Sequence, residues 1–281
     1  MTTKTYEKKD HSELLAQLTK GIEDLTTSDR WTEYLAFQAR FHRYSAGNAQ
    51  LIMMQTGGYA TQVAGFNTWK AQGRNVKKGE KGIYILAPLA FKSTDKDTGE
   101  ETFGVKGFRY VAVFDVAQTE GDDLPEIASK ITGEAPEGAF VRLIDYAREI
   151  GFMVADFDFE DSGVNGDCSH ADRLIRIGHN SPAQRVKTLA HELSHAILHA
   201  PETTDYRNDR ALCELEAESS AYVICQALGV DSGAYSFGYV AGWAGGGEAA
   251  VKAIKASQER IHRASALVLK SFESARELVA A

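Results

Sequence analysis

Apolar positions along the 281-residue chain switch between helical and strand spacing, and the switches mark its elements. In SELLAQLTKGIEDL (12–25), Leu15, Leu18, Ile22 and Leu25 recur at the helical period. Ser28 then reads as the cap of a second helix carrying Trp31, Tyr34 and Leu35. YSAGNAQLIMMQ (44–55) predicts a third, capped by Ser45 and ended by Gly57-Gly58. FNTWKAQG (66–73) is a short helix between an Asn cap and a Gly stop. KKGEKG (77–82) is a turn before a strand, IYILAPLAF (83–91), and DKDTGEE (95–101) a turn before another, FRYVAVFDV (108–116).

A stretch without strong periodicity follows. TEGDDLPEIASKITGEAPEG (119–138) is acidic and holds Pro125 and Pro136. It predicts a linker over 126–135 between an α+β domain over 1–125 and a second domain over 136–281. The second domain reads as mainly helical. AFVRLIDYAREIG (139–151) is an amphipathic helix, and DRLIRIG (172–178) a strand that could be the edge on which an extended substrate pairs. A histidine-bearing helix comes next, then CELEAESSAYVICQALG (213–229), stopped by Gly229. A long helix from about 248 to 279 packs Ile254, Ile261, Val268 and Phe272 along one stripe.

Composition narrows the class. With 43% hydrophobic and 25% charged residues the chain can form ordinary globular domains. Three cysteines without a CxxC pair argue against a disulfide framework and for a reducing cytoplasm. The first twenty residues hold no apolar core, so neither a signal peptide nor a membrane span is expected. The net charge of −8 conceals an asymmetry. Residues 37–92 hold eight basic side chains, Arg40, Arg43, Lys70, Arg74, Lys77, Lys78, Lys81 and Lys92, against one acid, Glu80. A cationic module on an acidic protein points to a polyanion partner.

The candidate chemistry lies in HELSHAILHA (191–200). Ser181 can cap this helix, Pro182 suits its first turn and Gln184 completes a capping box. Val186, Leu189, Leu193 and Ile197 form the packing stripe, leaving His191 and His195 one turn apart on roughly the opposite face. Two such imidazoles are what a tetrahedral zinc needs, with Glu192 beside them as a general base. A third ligand must come from elsewhere. The helix rise places His199 about 12 Å from His191 along the axis, too far to share one ion, so it reads as a helix-end or supporting histidine. Glu214 on the following helix is the preferred third ligand, with Glu216 as runner-up. Glu218, one turn beyond Glu214, can fix the tautomer of a ligand histidine. Tyr206, Arg207 and Tyr222 are weak candidates for stabilising an oxyanion.

These motifs resemble the ArdC-type antirestriction proteins of plasmids and phages. The resemblance rests on YSAGNAQLI, GYATQVAGFNTWKAQGRNVKKGEKGIYIL, HELSHAILH and ELEAESSAYVICQALGV, and spans nearly the whole chain. It implies an N-terminal single-stranded-DNA-binding domain, a zincin-like metallopeptidase domain, protection of incoming DNA from restriction and a bound metal. The second half is also similar to peptidases that cleave phage or mobile-element repressors. Its acidic charge argues against that half gripping DNA by itself.

Single-strand binders combine a cationic groove with aromatic platforms for bases. Arg40, Arg43, Lys70, Arg74, Lys77, Lys78 and Lys81 are the candidate cations, and Tyr44, Tyr59 and Trp69 the candidate platforms. The resulting expectation is a cytoplasmic protein with Zn²⁺ on His191, His195 and Glu214, single-stranded DNA as partner and a protein as the peptidase's substrate. Two alternatives stay open: a repressor-cleaving peptidase whose N-terminal half binds protein, and a non-catalytic binding protein with a structural metal.

Overall fold

The structure is a computed structural model. It describes residues 19–20, 25, 27–94, 101–122, 136–159, 163–206, 208–230 and 247–280. Most of the helix predicted over 12–25, and the linker predicted over 126–135, lie outside the described residues. The architecture is mixed α/β, with seven helices and three small sheets among the described residues. It divides into two compact units, one of residues 48–125 and one of residues 1–47 with 126–281.

The 48–125 unit is built around a β-ribbon. Helix α2 (Ala46–Thr56) leads to β1 (Val63–Gly65), α3 (Phe66–Ala71) and β2 (Arg74–Val76). The long strands β3 (Ile83–Thr94) and β4 (Glu101–Asp115) follow, then a 3₁₀ turn (Val116–Gln118) and β5 (Thr119–Gly121). β4 lies between β1 and β3, antiparallel to both, and β2 pairs with β5. Both ribbon strands run further than the alternation predicts, β4 beginning at Glu101 rather than Phe108. The outer edge of β3 is met by side chains instead of a strand. Asn48 exchanges two hydrogen bonds with the Leu86 backbone, each 2.9 Å, and Gln55 does the same with Tyr84 at 2.8 and 2.9 Å.

The other unit joins α1 (Ser28–Arg40) to α4 (Pro136–Glu149), β6 (Met153–Asp156), β7 (Gly166–Ser169) and β8 (Leu174–Ile177). Three further helices complete it: α5 (Pro182–Leu198), α6 (Arg210–Leu228) and α7 (Gly247–Ala280). Its core joins Leu143 of α4, Ile175 of β8, Leu189 and Leu193 of α5, Ile224 of α6 and Val268 of α7. This grouping differs from a division at Pro125, because α1 packs on α6: Trp31 is fully buried and its indole Nε1 donates to Ser219 Oγ at 3.0 Å. α1 starts one residue earlier than Ser28 predicts, with Thr27 as its cap. α3 is capped by Gly65 without a side-chain bond rather than by an asparagine. Gly229 stops α6 in the left-handed conformation (φ 68°), where a Cβ would be strained. No helix among the described residues is long and apolar enough to cross a membrane.

Candidate metal centre

α5 and α6 pack side by side and face one another across the candidate site. Val186, Leu189 and Leu193 of α5 are fully buried, which turns His191 and His195 toward α6. Ser181 Oγ accepts from the Gln184 amide at 3.4 Å, as expected of the cap. The capping box does not close, because Gln184 Nε2 turns forward to Thr188 Oγ1 at 3.3 Å.

Three ligand atoms converge. His191 Nε2 lies 3.1 Å from His195 Nε2 and 3.3 Å from Glu214 Oε2, and His195 Nε2 lies 3.8 Å from the same oxygen. Donors around a tetrahedral zinc at its usual bond lengths sit about 3.3 Å apart, so the set fits such an ion in type and spacing. Among the described residues, this trio is the group so placed to hold a metal. Glu214 Oε1 accepts from the Tyr206 hydroxyl, leaving Oε2 for the cluster. Glu218 Oε2 lies 3.2 Å from His191 Nδ1, and its Oε1 3.0 Å from Lys187 Nζ. Glu216, the runner-up ligand, points away from the trio and pairs with His199 and Arg260.

The charges within this cluster are interdependent. Burial works against a proton on His191, but the carboxylates of Glu214 and Glu218 outweigh it and lift the imidazole to about 9. Burial lowers His195 to about 4, with the adjacent His191 adding to the fall. The pair therefore carries one positive charge rather than two. His191, with the Tyr206 hydroxyl, holds Glu214 far below the usual carboxylate range. Glu192 behaves oppositely: burial, with Glu214 and Asp167 nearby, raises it to about 7.

The trio opens into a cleft of about 1070 Å³. One wall is β7 and the turn after it, another the loop from Pro201 to Tyr206. The expectation that DRLIRIG is the free edge is corrected here. Strand β8, within that stretch, is the middle strand, flanked by β6 and β7, and β7 is the edge along the cleft. β7 reaches α5 because residue 166 is glycine: a Cβ there would meet Thr188 Cγ2 at 2.5 Å and Arg176 O at 3.0 Å. His170 also lines the cleft, 3.2 Å from the His195 carbonyl, and no local motif marked it. Cys168 lines it too, but burial and the neighbouring Glu192 charge push its thiol up to about 12, so it stays protonated. Of the three oxyanion candidates, Tyr206 is in the cleft lining, Tyr222 is not among its lining residues, and Arg207 lies outside the described residues.

The predicted DNA contacts do not form one group. Arg40, Arg43 and Tyr44 belong to the unit that carries His191, His195 and Glu214, while Tyr59 and the rest belong to the 48–125 unit. Arg43 pairs with Glu273 at 2.9 Å, Arg40 lies over the Phe37 ring, and Tyr44 is half-buried. Trp69 is corrected from platform to core: it is 0% exposed, and its Nε1 donates to Phe114 O at 2.8 Å. Arg74 is spent on Thr119 and Asp122, and Lys77 Nζ donates to Ala117 O at 2.9 Å. Lys70, Lys78 and Lys81 are exposed, as is Tyr59 at 68%.

Comparison with known proteins assigns both halves. Residues 5–122 match the family model described as the N-terminal domain of anti-restriction factor ArdC, and residues 147–225 match a peptidase model described as the IrrE N-terminal-like domain. The chain joins an ArdC N-terminal domain to an IrrE-like peptidase domain. The metal-free crystal structure of the antirestriction ArdC protein from plasmid R388 has the same fold. Its TM-score is 0.52 at 21% identity, over 82% of this chain and 86% of that one. The Mn(II)-bound structure of that protein aligns with a TM-score of 0.48 at 20% identity, over 82% and 85%. Uncharacterized protein pXO2-81 of Bacillus anthracis is 26% identical over 87% of this chain. The chain spans about half the length of that relative, 50%.

Proposed function

We propose that this chain is an antirestriction protein of a mobile element or phage, that its ArdC N-terminal domain binds single-stranded DNA, and that its IrrE-like domain is a zinc peptidase. The convergence of His191, His195 and Glu214 in a cleft beside a buried carboxyl, Glu192, carries the enzymatic part. Those three would hold Zn²⁺. Three protein ligands with a fourth position open to the cleft are the pattern of a catalytic rather than a structural zinc. When bound, the ion acidifies water and polarises a carbonyl. Glu192, buried beside the trio and lining the cleft, would accept a proton from a water there and return it to the leaving amine. A structural metal needs no such base, which favours catalysis over the non-catalytic alternative. The free edge of β7 can take an extended peptide as an added strand beside the trio. The Tyr206 hydroxyl donates to Glu214 and His170 Nε2 to the His195 carbonyl, so either must change partner to serve a developing oxyanion.

The DNA-binding part rests on the ArdC domain and its exposed cations, Lys70, Lys78 and Lys81, with Tyr59 as a stacking surface. The antirestriction part rests on the same domain and on the fold shared with the R388 protein.

The test is to purify the full chain without chelators, measure its metal content, and titrate fluorescent single-stranded DNA across a salt series. About one zinc per chain is expected, with affinity falling on a log–log slope of roughly −0.7 per phosphate contacted. A metal-free chain that takes up no zinc refutes the enzymatic part. A folded chain without DNA binding at low salt refutes the other and favours the repressor-cleaving peptidase.

A further inference from the structure

Behind the candidate metal centre lies a buried polar chain that the proposed chemistry does not use directly. His199 and Glu216 have side chains only 1% and 2% exposed. His195 Nδ1 lies 2.9 Å from His199 Nδ1, and His199 Nε2 lies 3.1 Å from Glu216 Oε2. Arg260 Nε donates to the same Glu216 oxygen at 2.8 Å, and Ser257 Oγ donates to the other at 3.0 Å. A second Arg260 nitrogen reaches the Leu198 carbonyl at 3.2 Å, tying α7 to the end of α5.

The direction of each bond follows from what each group can do. A carboxylate accepts only, so His199 must offer Glu216 the proton on Nε2. Its Nδ1 is then a bare lone pair, and the 2.9 Å contact needs His195 to donate from Nδ1. That leaves His195 Nε2 unprotonated, and this is the nitrogen 3.1 Å from His191 Nε2 and 3.8 Å from Glu214.

We infer that His199 and Glu216 are positioning residues that hold His195 in the Nδ1–H tautomer and so aim the Nε2 lone pair at the ion. The inference rests on the reading of His195 as a metal ligand. The Nδ1 proton of His191 is fixed by a shorter route, since Glu218 accepts it directly. His195 faces the other way along α5, where another imidazole stands between it and a carboxylate. Outer partners of this kind typically change metal affinity by about 10–100-fold.

Two measurements test this. In nitrogen-15 spectra of the metal-free wild-type chain, His195 should carry its proton on Nδ1 and His199 on Nε2. In zinc competition titrations, His199→Leu should weaken binding by about 10–100-fold. His199→Gln should recover most of that loss, because a carboxamide presents an acceptor and a donor spaced like the two ring nitrogens. Melting of the metal-free variants checks that both are folded. A proton on Nε2 of His195 in the wild type overturns the inference, as does a folded His199→Leu variant with wild-type zinc affinity. If His199→Leu does not fold, the wild-type tautomers and His199→Gln still decide. A wild type that takes up no zinc refutes the ligand reading, while the tautomers of that same chain still decide the hydrogen-bond direction.

Discussion

Replacing Trp31 by alanine tests whether α1 belongs with the helix that carries Glu214 and Glu218. The indole is 0% exposed, and its Nε1 bonds Ser219, the residue after Glu218. A buried tryptophan removes about 150–250 Å² from water, worth about 4–6 kcal/mol at roughly 25 cal/mol per Å². A realistic unfolded chain already hides roughly 10–40% of that area, which brings the figure to about 3–5 kcal/mol, the usual range for Trp→Ala. The variant also leaves the buried Ser219 hydroxyl without its indole partner, adding about 1 kcal/mol. For a body of this size, each kcal/mol moves the melting temperature by about 2–4 °C, so a fall on the order of 8–24 °C is expected. Calorimetry of the full chain is the assay, because it can resolve separate transitions for the two units. The transition of the unit containing α5 and α6 should fall while that of the 48–125 unit stays. A shift below about 2 °C, or one confined to the 48–125 unit, would refute the packing argument.

Four further outcomes are expected. Glu192→Gln should keep zinc and fold but lose about 10²–10⁴-fold in peptide cleavage; undiminished cleavage rules out Glu192 as the base. Replacing Lys70, Lys78 and Lys81 together by alanine should flatten the salt slope of DNA binding by about 2; an unchanged slope makes them a solvated face. Trp69→Phe leaves the Phe114 carbonyl without its donor and should cost about 1–3 kcal/mol of stability with no change in that slope. Weakened DNA binding in an equally stable Trp69→Phe protein would return the ring to the interface. Burial opposes the charge on Glu273, but His42 and Arg43 outweigh it and hold its carboxyl below the usual range. A depressed folded value stabilises the fold above the unfolded value near ~4.3, and that contribution disappears as pH falls through the folded value. Acid melts of Glu273→Gln should therefore show a shallower loss below about pH 5 than the wild type; parallel curves would discount the pair.

The convergence of His191, His195 and Glu214 was legible because its signals are local. His191 and His195 are one helical turn apart, and Glu214 and Glu218 repeat that spacing on a second helix, so two amphipathic patterns suffice to bring them together. The supporting chain behind His195 was less legible. It joins His199, Glu216, Ser257 and Arg260 from three helices, and no spacing within one helix predicts that meeting. Sheet order was likewise beyond the pattern: β8 has the alternation of a strand, yet nothing local says that β7 folds back along its exposed side. Trp69 shows a different limit. A tryptophan among basic residues fits a stacking surface and a small core equally well, and only the indole's bond to β4 separates the two. Trp31 belongs with a helix almost 190 positions away, a distance over which periodicity has no reach.

The side chains meeting β3 bear on how the protein avoids sticking to itself. An edge strand with open amides is a template on which another chain can add, the route to aggregation and swapped dimers. On β3 the outward-facing backbone groups fall at alternate residues, and Asn48 and Gln55 occupy those of Leu86 and Tyr84. The next outward position is Pro88, which has no N–H to offer. Three consecutive docking points are thus blocked on a strand whose outer half exposes Leu89 and Phe91. One helix of 11 residues supplies the blockade with two carboxamides two turns apart, and truncating both to alanine would leave a folded ribbon open to recruit its own copies.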